Sequence, residues 1–215
     1  MNDRNFLQQR QNLVNSLKVK GIKDQRVLDA MLNVSRHEFV NDNLLDKSYL
    51  DEPQPIGEGQ TISQPYIVAL MTQELQLKGH EKVLELGTGS GYQTAILCEL
   101  AGEVYSIERI ESLYLKSTEK LASLGYNNIK LFHNDGSLGL IEYAPYDAII
   151  VTATSPVIPN PLIDQLAVGG RMIIPVGPSA PQDLLLVTKL KDSYISEYVC
   201  SVYFVPLIGK YAWHK

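Results

Sequence analysis

Five short, largely apolar runs constrain the fold of this 215-residue chain more than any other feature. Runs of this length that are bounded by glycine and polar residues predict buried strands, and the segments between the first three show helical spacing. The last two runs are nearly all apolar, as strands covered on both faces require. We therefore predict an α/β fold with a doubly wound, mostly parallel sheet and crossover helices. The predicted strands are Lys82–Leu86, Glu103–Glu108, Ile129–His133, Asp147–Thr152 and Arg171–Val176.

The region before this sheet reads as helices followed by a loop. Apolar residues recur at helical spacing twice within residues 1–45, and Asp24 can cap the second segment, which predicts an N-terminal helical cover. Residues 53–65 are rich in proline, glycine and polar residues and predict a loop rather than a packed element. Long loops often carry function. A further helix is predicted from Tyr66.

The region after the sheet predicts a change of strand direction. The runs Leu184–Leu190 and Glu197–Leu207 are separated only by a short polar turn, which cannot hold a crossover helix, so they form an antiparallel pair. A chain of this size can bury one substantial core, so a single domain over residues 1–215 is expected. It divides into N-terminal helices and loop (1–65), a central core (66–180) and C-terminal strands (181–215).

Charge and composition exclude several classes of partner. The formal net charge is −5, without the basic surplus that binding to phosphates requires, so nucleic acid is not an expected partner. The N-terminus has no basic start followed by an apolar run, and nowhere do 18 apolar residues follow one another. We expect a cytoplasmic monomer that does not associate with a membrane.

Cysteine and histidine usage predicts neither disulfides nor metal. Cys98 and Cys200 are far apart and show no C-x-x-C spacing, which suits a reducing compartment. The four histidines are scattered, without the ligand spacing of a metal site. No metal cofactor is predicted.

A glycine cluster follows the first predicted strand. Gly87, Gly89 and Gly91 lie where a strand passes into a helix, at the sheet edge at which doubly wound folds bind ligands. Tyr92 stands where a dinucleotide-binding loop requires a third glycine, which favours a nucleoside cofactor over a nicotinamide dinucleotide. Glu108 ends the next strand, where its carboxylate can accept hydrogen bonds from both ribose hydroxyls.

A second acidic group follows the third predicted strand. Asp135-Gly136 would place a carboxylate near an adenine amino group. Each such residue has an alternative interpretation as a solvated turn residue, which is the more common case for one residue alone. Acidic or glycine residues at three strand ends in register favour the cofactor interpretation.

These features together resemble the class I S-adenosylmethionine methyltransferases over about residues 80–180. The similarity implies S-adenosylmethionine as cofactor and S-adenosylhomocysteine as product. It also implies that the cofactor is held by Glu85, Gly87, Thr88, Gly89, Gly91, Glu108, Asp135 and Gly136.

The methyl acceptor is indicated by the segment from Pro55 to Tyr66, PIGEGQTISQPY, which resembles the signature loop of the protein-L-isoaspartate(D-aspartate) O-methyltransferase family. Further similar segments are Arg36–Val40, Gly91–Ala95, Ile107–Ile110, Tyr146–Ala153 and Phe204–Leu207. The similarity implies methyl transfer to the carboxylate of isoaspartyl residues in damaged polypeptides. It makes Thr61, Ile62 and Ser63 substrate-binding residues and Ser63 the catalytic residue. The sequence departs from the family pattern at Ser35, where proline is usual, and over residues 208–215.

Two sets of alternatives remain open at this point. Ser63 and Pro65 directly precede a helix, so Ser63 could instead be a helix cap. The chain could also methylate another acceptor, bind S-adenosylmethionine without turnover, or be a nicotinamide dehydrogenase. Thr152-Ala153-Thr154 replaces the Asn-Pro-Pro-Tyr motif of base methylation, and Tyr92 argues against the dehydrogenase.

Overall fold

The computed structural model describes residues 3–214, in which nine strands are present. In chain order they are β1 (Gln54–Gly57), β2 (Gln60–Ile62), β3 (Lys82–Leu86), β4 (Glu103–Glu108), β5 (Ile129–His133), β6 (Tyr146–Val151), β7 (Leu166–Val176), β8 (Gln182–Lys189) and β9 (Tyr194–Val202). Seven of them form one sheet in the order β5-β4-β3-β6-β7-β8-β9. The five strands from β5 to β7 are parallel, and β8 and β9 are antiparallel, which confirms the predicted mixed sheet.

The helices within residues 3–214 cover the sheet unequally. They are α1 (Asp3–Val19), α2 (Gln25–Asn33), α3 (Pro65–Leu75), α4 (Tyr92–Leu100), α5 (Glu111–Ser123) and α6 (Asn160–Gln165). Residues from α1 to α5 share one hydrophobic core with one face of the sheet. The second core, on the other face, contains Leu162 of α6 together with Leu207 and Ala212 of the C-terminal segment.

Strand side chains alternate between these two cores. Val83 belongs to the first core and Leu84 to the second, and Ile150 and Ile149 repeat the division on β6. All four side chains are fully buried. The burial on both faces explains why the sequence of β6 shows an unbroken apolar run rather than alternation.

The strand order contains a topological switch. From β3 the chain proceeds outward to β4 and β5, and then returns to the opposite side of β3 with β6. Loops that leave β3 and β6 at their carboxyl ends therefore diverge and leave a crevice between them. The glycine loop, residues 87–91, lies at that crevice.

The predicted loop over residues 53–65 was wrong, because β1 and β2 form an antiparallel hairpin there. Gly57, Glu58 and Gly59 all have positive φ, at 95°, 54° and 68°, and reverse the chain within three residues. Ile56 and Ile62 are 8% and 4% exposed, so the hairpin buries one face against the first core. The glycine and proline content correctly indicated a turn, but it also led us to predict a loop where the two short strands lie.

Three other features differ from the prediction. The N-terminal cover has two helices with Asp24 capping α2, but α2 ends at Asn33 and 3-10 turns occupy Arg36–Phe39 and Asp42–Lys47. Helix α6 was missed because it is only six residues long. Strand β7 starts before Gly169-Gly170 rather than after them.

Strand β9 was predicted to continue to Leu207, but it ends at Val202. The chain then leaves β8 and bonds at the end of β6: the Thr154 N–H donates to the Val205 carbonyl, and the Leu207 N–H donates to the Thr154 carbonyl. The C-terminal segment, residues 203–214, thereby comes to lie at the same sheet edge as the glycine loop.

Candidate active site

A cavity of 520 Å³ opens along the carboxyl ends of β3, β4 and β6. Most of its walls come from the ends of those strands and from the C-terminal segment, and the hairpin adds Glu58, Gln60 and Thr61. Five lining residues belong to the predicted sites: Thr61, Gly87, Gly89, Glu108 and Gly136. The fold therefore brings together, at one opening, residues that are 75 positions apart in the sequence.

The glycine loop can take its course only because it lacks side chains. Gly87, Gly89 and Gly91 have φ of 94°, 55° and 88°, a region that other residues rarely adopt. A Cβ atom on Gly87 would lie 2.4 Å from the Thr152 hydroxyl oxygen, which itself donates a hydrogen bond to the Gly87 carbonyl. Gly91 is packed against Leu121 rather than facing the cavity.

Glu108 fastens the glycine loop to the end of β4. Its carboxylate accepts hydrogen bonds from the Gly89 N–H at 2.9 Å and from the Ile110 N–H at 2.8 Å. The side chain is 6% exposed and lines the main cavity. A carboxylate oxygen has more than one acceptor position, so Glu108 can still accept hydrogen bonds from a bound ligand.

Glu85 is fully buried beneath the loop and does not line the cavities described here. One carboxyl oxygen accepts hydrogen bonds from the Thr94 and Ser106 hydroxyls, at 2.5 and 2.6 Å, and the other has no partner. Burial raises the pKa of Glu85 to about 8, so it holds a proton at neutral pH. Ser106 is also hydrogen-bonded to Thr88, which connects Glu85 to the glycine loop.

Asp135 lies beside Gly136 but is engaged by the protein itself. One carboxylate oxygen accepts from the N–H and hydroxyl of Ser137, and the other accepts from the Lys210 N–H at 2.8 Å. A Cβ atom on Gly209 would collide with the same carboxylate. Asp135 therefore anchors the C-terminal segment, and the predicted contact with adenine stays a prediction.

Two smaller cavities adjoin the main one beside the hairpin. A cavity of 40 Å³, the inner cavity, is lined by Thr61-Ile62-Ser63, by residues 87–90 of the glycine loop, by Thr152 and by Tyr92. A cavity of 340 Å³, the outer cavity, is lined by Thr61, Ser63, Thr152, Ile67 and residues 201–205. Thr61 and Thr152 border all three spaces, and Ser63 borders both smaller ones. The three predicted substrate residues thus line the inner cavity beside the glycine loop, and two of them, Thr61 and Ser63, also line the outer cavity.

Ser63 is not the cap of α3. The N-cap residue is Gln64, and the Tyr66 N–H in the first turn donates instead to the carboxylate of Asp51 at 2.8 Å. The capping interpretation of Ser63 is therefore wrong, because a residue 15 positions upstream supplies the acceptor. The Ser63 hydroxyl makes no hydrogen bond within residues 3–214 and remains able to contact a ligand.

Comparison with known proteins decides which family carries this arrangement. The model of the protein-L-isoaspartate(D-aspartate) O-methyltransferase (PCMT) family matches residues 8–212. The chain belongs to this family. It is 55% identical over 204 residues to a protein-L-isoaspartate O-methyltransferase of Dictyoglomus thermophilum, covering 95% of this chain and 93% of that protein. A relative from Geobacter metallireducens with the same name is 54% identical over 195 residues, covering 90% of each.

Solved structures of the family share the fold. One protein-L-isoaspartate O-methyltransferase superposes with a TM-score of 0.85 at 29% identity, over 94% of this chain and 67% of that one. A Plasmodium falciparum protein, described as a candidate member and solved in complex with S-adenosyl-L-homocysteine, has a TM-score of 0.80 at 30% identity. It is matched over 92% of this chain and 97% of its own.

Several residues of this family member's site were missed by the sequence reasoning. Thr152 directly follows β6, and its place at a strand end was the signal that could have identified it. Val205 and Leu207 line the main cavity because the C-terminal segment folds back, which no local pattern announces. Arg36 contacts Ser63 from 27 residues away.

Within residues 3–214, no group of three or more histidine, cysteine, aspartate or glutamate side chains is arranged to hold a metal ion. The helices described there include none that is both long and apolar enough to cross a bilayer.

Proposed function

We propose that this chain transfers the methyl group of S-adenosylmethionine to the free carboxylate of L-isoaspartyl residues in damaged polypeptides. The observation that carries the proposal is the junction formed by Thr61, Ser63 and Thr152. These residues separate the glycine loop from a cavity that opens to the surface. A polypeptide in the outer cavity and a cofactor in the main cavity would meet there.

The main cavity has the features that S-adenosylmethionine requires. Gly87 and Gly89 line this cavity without side chains, so the loop backbone can approach a ligand closely. Glu108 and Gly136 line this cavity, which Ser63 does not border, and they could hold the nucleoside there. When bound, the cofactor supplies a methyl group that its sulfonium activates for displacement.

The residues at the junction have a modest chemical task. A carboxylic acid side chain titrates near pH 4, so the isoaspartyl group is already ionised at neutral pH and needs no general base. What remains is to orient one carboxylate oxygen and to exclude water from it. The free Ser63 hydroxyl can donate a hydrogen bond to that carboxylate. Buried Ile62 and half-buried Thr152 limit the access of water on either side.

The outer cavity suits polypeptide flanking the damaged residue. Its lining is uncharged within the described part of the chain and combines apolar groups with hydroxyls and an amide. Tyr203 is 78% exposed at its rim. Such a surface accepts many neighbouring side chains, as an enzyme that repairs unrelated polypeptides requires.

We further propose that the working unit is a single-domain cytoplasmic monomer that binds neither nucleic acid nor membrane. The formal net charge of −5 supports the absence of a nucleic-acid partner. Light scattering at micromolar concentration tests the oligomeric state, and a mass twice that of the chain would contradict the monomer.

Paired peptides test the function directly. The protein is incubated with methyl-radiolabelled S-adenosylmethionine and two peptides that differ only in an isoaspartyl or aspartyl linkage. We expect label in the isoaspartyl peptide alone and S-adenosylhomocysteine as the second product. Equal labelling of both peptides would indicate another acceptor specificity, and labelling of neither would indicate binding without turnover.

The matched control is Gly87→Ala. The new Cβ would collide with the Thr152 hydroxyl, and alanine rarely adopts the φ of 94° that Gly87 has. Labelling should therefore fall to background. Retention of activity by this variant would show that the glycine loop does not hold the cofactor.

A further inference from the structure

The carbonyl group of Ser63 precedes α3 and receives no hydrogen bond from that helix. Helix α3 begins at Pro65, and the first carbonyl used by the helix is that of Gln64, which accepts from the Val68 N–H. Ser63 is partly buried, and a backbone carbonyl withdrawn from water without a donor is costly. Arg36 supplies the donor: its Nη2 atom lies 2.8 Å from the Ser63 oxygen.

Arg36 is held rigidly enough to fix that carbonyl. Its side chain is fully buried, and its Nε atom donates to the Ser48 carbonyl at 3.0 Å. The guanidinium lies over the ring of Tyr92, with Cζ 4.8 Å from the ring centroid. Because the guanidinium is planar, these three contacts determine its position together.

Stability alone gives a poor account of this arginine. The Nη1 atom is buried and has no hydrogen-bond partner among the described residues. A buried charge with an incomplete set of hydrogen bonds costs more free energy than an apolar side chain of similar size. Burial lowers the pKa of Arg36, which reports the same penalty on the charged form.

Both contacts of the guanidinium lead to the inner cavity. Ser63 and Tyr92 both line that cavity; Ser63 directly follows the hairpin, and Tyr92 is at the start of α4 after the glycine loop. Arg36 is thus a single rigid group that contacts both Ser63, next to the hairpin, and Tyr92, next to the glycine loop.

We infer that Arg36 is a positioning residue, which sets the place of Ser63 relative to the glycine loop by holding the Ser63 carbonyl and the Tyr92 ring together. The inference rests on the proposed function, since it assigns Ser63 a role in methyl transfer. Displacement of a reacting group by about 1 Å can lower a rate by about 100-fold.

The first variant is Arg36→Lys, which keeps the charge but cannot donate from one plane to the carbonyls of Ser48 and Ser63. With the isoaspartyl peptide we expect kcat to fall about 10-fold or more, while the Kd for S-adenosylhomocysteine changes less than about twofold. Arg36→Gln, which retains one amide donor without the charge, serves if the lysine variant does not fold.

The matched control is Arg26→Lys. Arg26 is a partly buried arginine that likewise joins two carbonyls, those of Leu77 and Leu100, at 3.0 and 3.3 Å, and it does not line the three cavities. We expect a fall in melting temperature similar to that of Arg36→Lys but an unchanged kcat. Equal kcat values for both lysine variants would overturn the inference.

A double-mutant cycle separates positioning from general structural support. If Arg36 acts through Ser63, then Arg36→Lys in a Ser63→Ala background should lower kcat by less than about twofold. A 10-fold loss in both backgrounds would show that Arg36 does not act through Ser63. The wild-type protein is assayed alongside with both peptides, so failure of the isoaspartyl specificity is seen separately from failure of the Arg36 inference.

Discussion

The two sides of the inner cavity are built in different ways. The cofactor side, which comprises the glycine loop, β3, β4 and the start of α4, is stabilised by hydrogen bonds among residues 85–110. The acceptor side, which comprises β2, Ser63 and the start of α3, depends on contacts from far away in the chain. Arg36 and Asp51 hold it from upstream, and residues 201–205 face it from downstream.

This difference separates stability from turnover. The cofactor side is a buried hydrogen-bonded network that belongs to the core, so damage to it should unfold the protein or release the cofactor. The acceptor side is more exposed and is placed by a few distant anchors. Damage there should change rates while the fold and cofactor binding persist.

The largest effect is expected at Glu85, on the cofactor side. Glu85→Ala leaves the buried hydroxyls of Thr94 and Ser106 without their shared acceptor and opens a cavity. We expect a loss of about 2–5 kcal/mol in the free energy of unfolding, measured by urea denaturation at pH 7. The exposed Glu119→Ala is the control and should stay within about 0.5 kcal/mol of the wild type.

The pH dependence sharpens the same prediction. Because burial raises the pKa of Glu85 from 4.5 to about 8, the folded state retains a proton that the unfolded state releases. The contribution of this group to the free energy of unfolding is therefore greatest below pH 4.5 and decreases as the pH rises to about 8. Above about pH 8 this contribution no longer changes with pH. Glu85→Gln, which does not titrate, should remove that decline. A Gln variant with the same slope as the wild type would place the titration elsewhere.

On the acceptor side, Ser63→Ala should affect turnover alone. Loss of a hydroxyl that donates to a carboxylate should cost about 1.5–3 kcal/mol of transition-state stabilisation, or about 10- to 150-fold in kcat/KM. Since Asp51 rather than Ser63 bonds the first turn of α3, the melting temperature should barely move. Ser63→Thr restores the hydroxyl and should recover part of the rate. Normal rates in the alanine variant would remove Ser63 from the mechanism.

The contrast between the two sides also explains what the sequence could reveal. The bounds of β3, β4 and β5 agree with prediction because an apolar run, a turn and a helix are adjacent in the sequence. The antiparallel pairing of β8 and β9 followed from the short spacing between their runs, whereas the strand order of the sheet was not predicted. On the cofactor side, the sequence placed Gly87, Gly89 and Glu108 at one site, where the structure has them.

The acceptor side was less accessible to the same reasoning. Its segment was recognised by family resemblance, yet the hairpin was read as a loop because its strands are only three and four residues long. The contacts of Arg36 and Asp51 join positions 15 to 27 residues apart through tertiary structure. Helical and strand periodicity carry no information about such pairs.

On the cofactor side, Glu108→Ala tests whether this carboxylate holds the nucleoside in the main cavity. We expect cofactor binding to weaken by about 1.5–3 kcal/mol, the range for hydrogen bonds to a charged group, with the fold preserved. Isothermal titration calorimetry measures it. Glu103→Ala, exposed at the opposite end of β4, is the matched control. A Kd within about threefold of the wild type would show that the ribose is held by other residues.

The smallest effect is expected at Asp51. This residue tests whether Arg36 or the start of α3 holds Ser63 in place. Its carboxylate accepts from the Tyr66 N–H and the Gln64 amide, and it pairs with Lys20. Asp51→Ala should cost about 0.5–2 kcal/mol of stability, as the loss of a helix cap does.

Turnover of the Asp51 variant should nevertheless fall less than about threefold, because Arg36 still holds the Ser63 carbonyl. Melting curves and initial rates on one preparation measure both quantities, with the exposed Asp46→Ala as the control. A rate loss as large as that of Arg36→Lys, without loss of stability, would mean that the start of α3 positions Ser63. The acceptor side would then be held mainly through its helix rather than through Arg36.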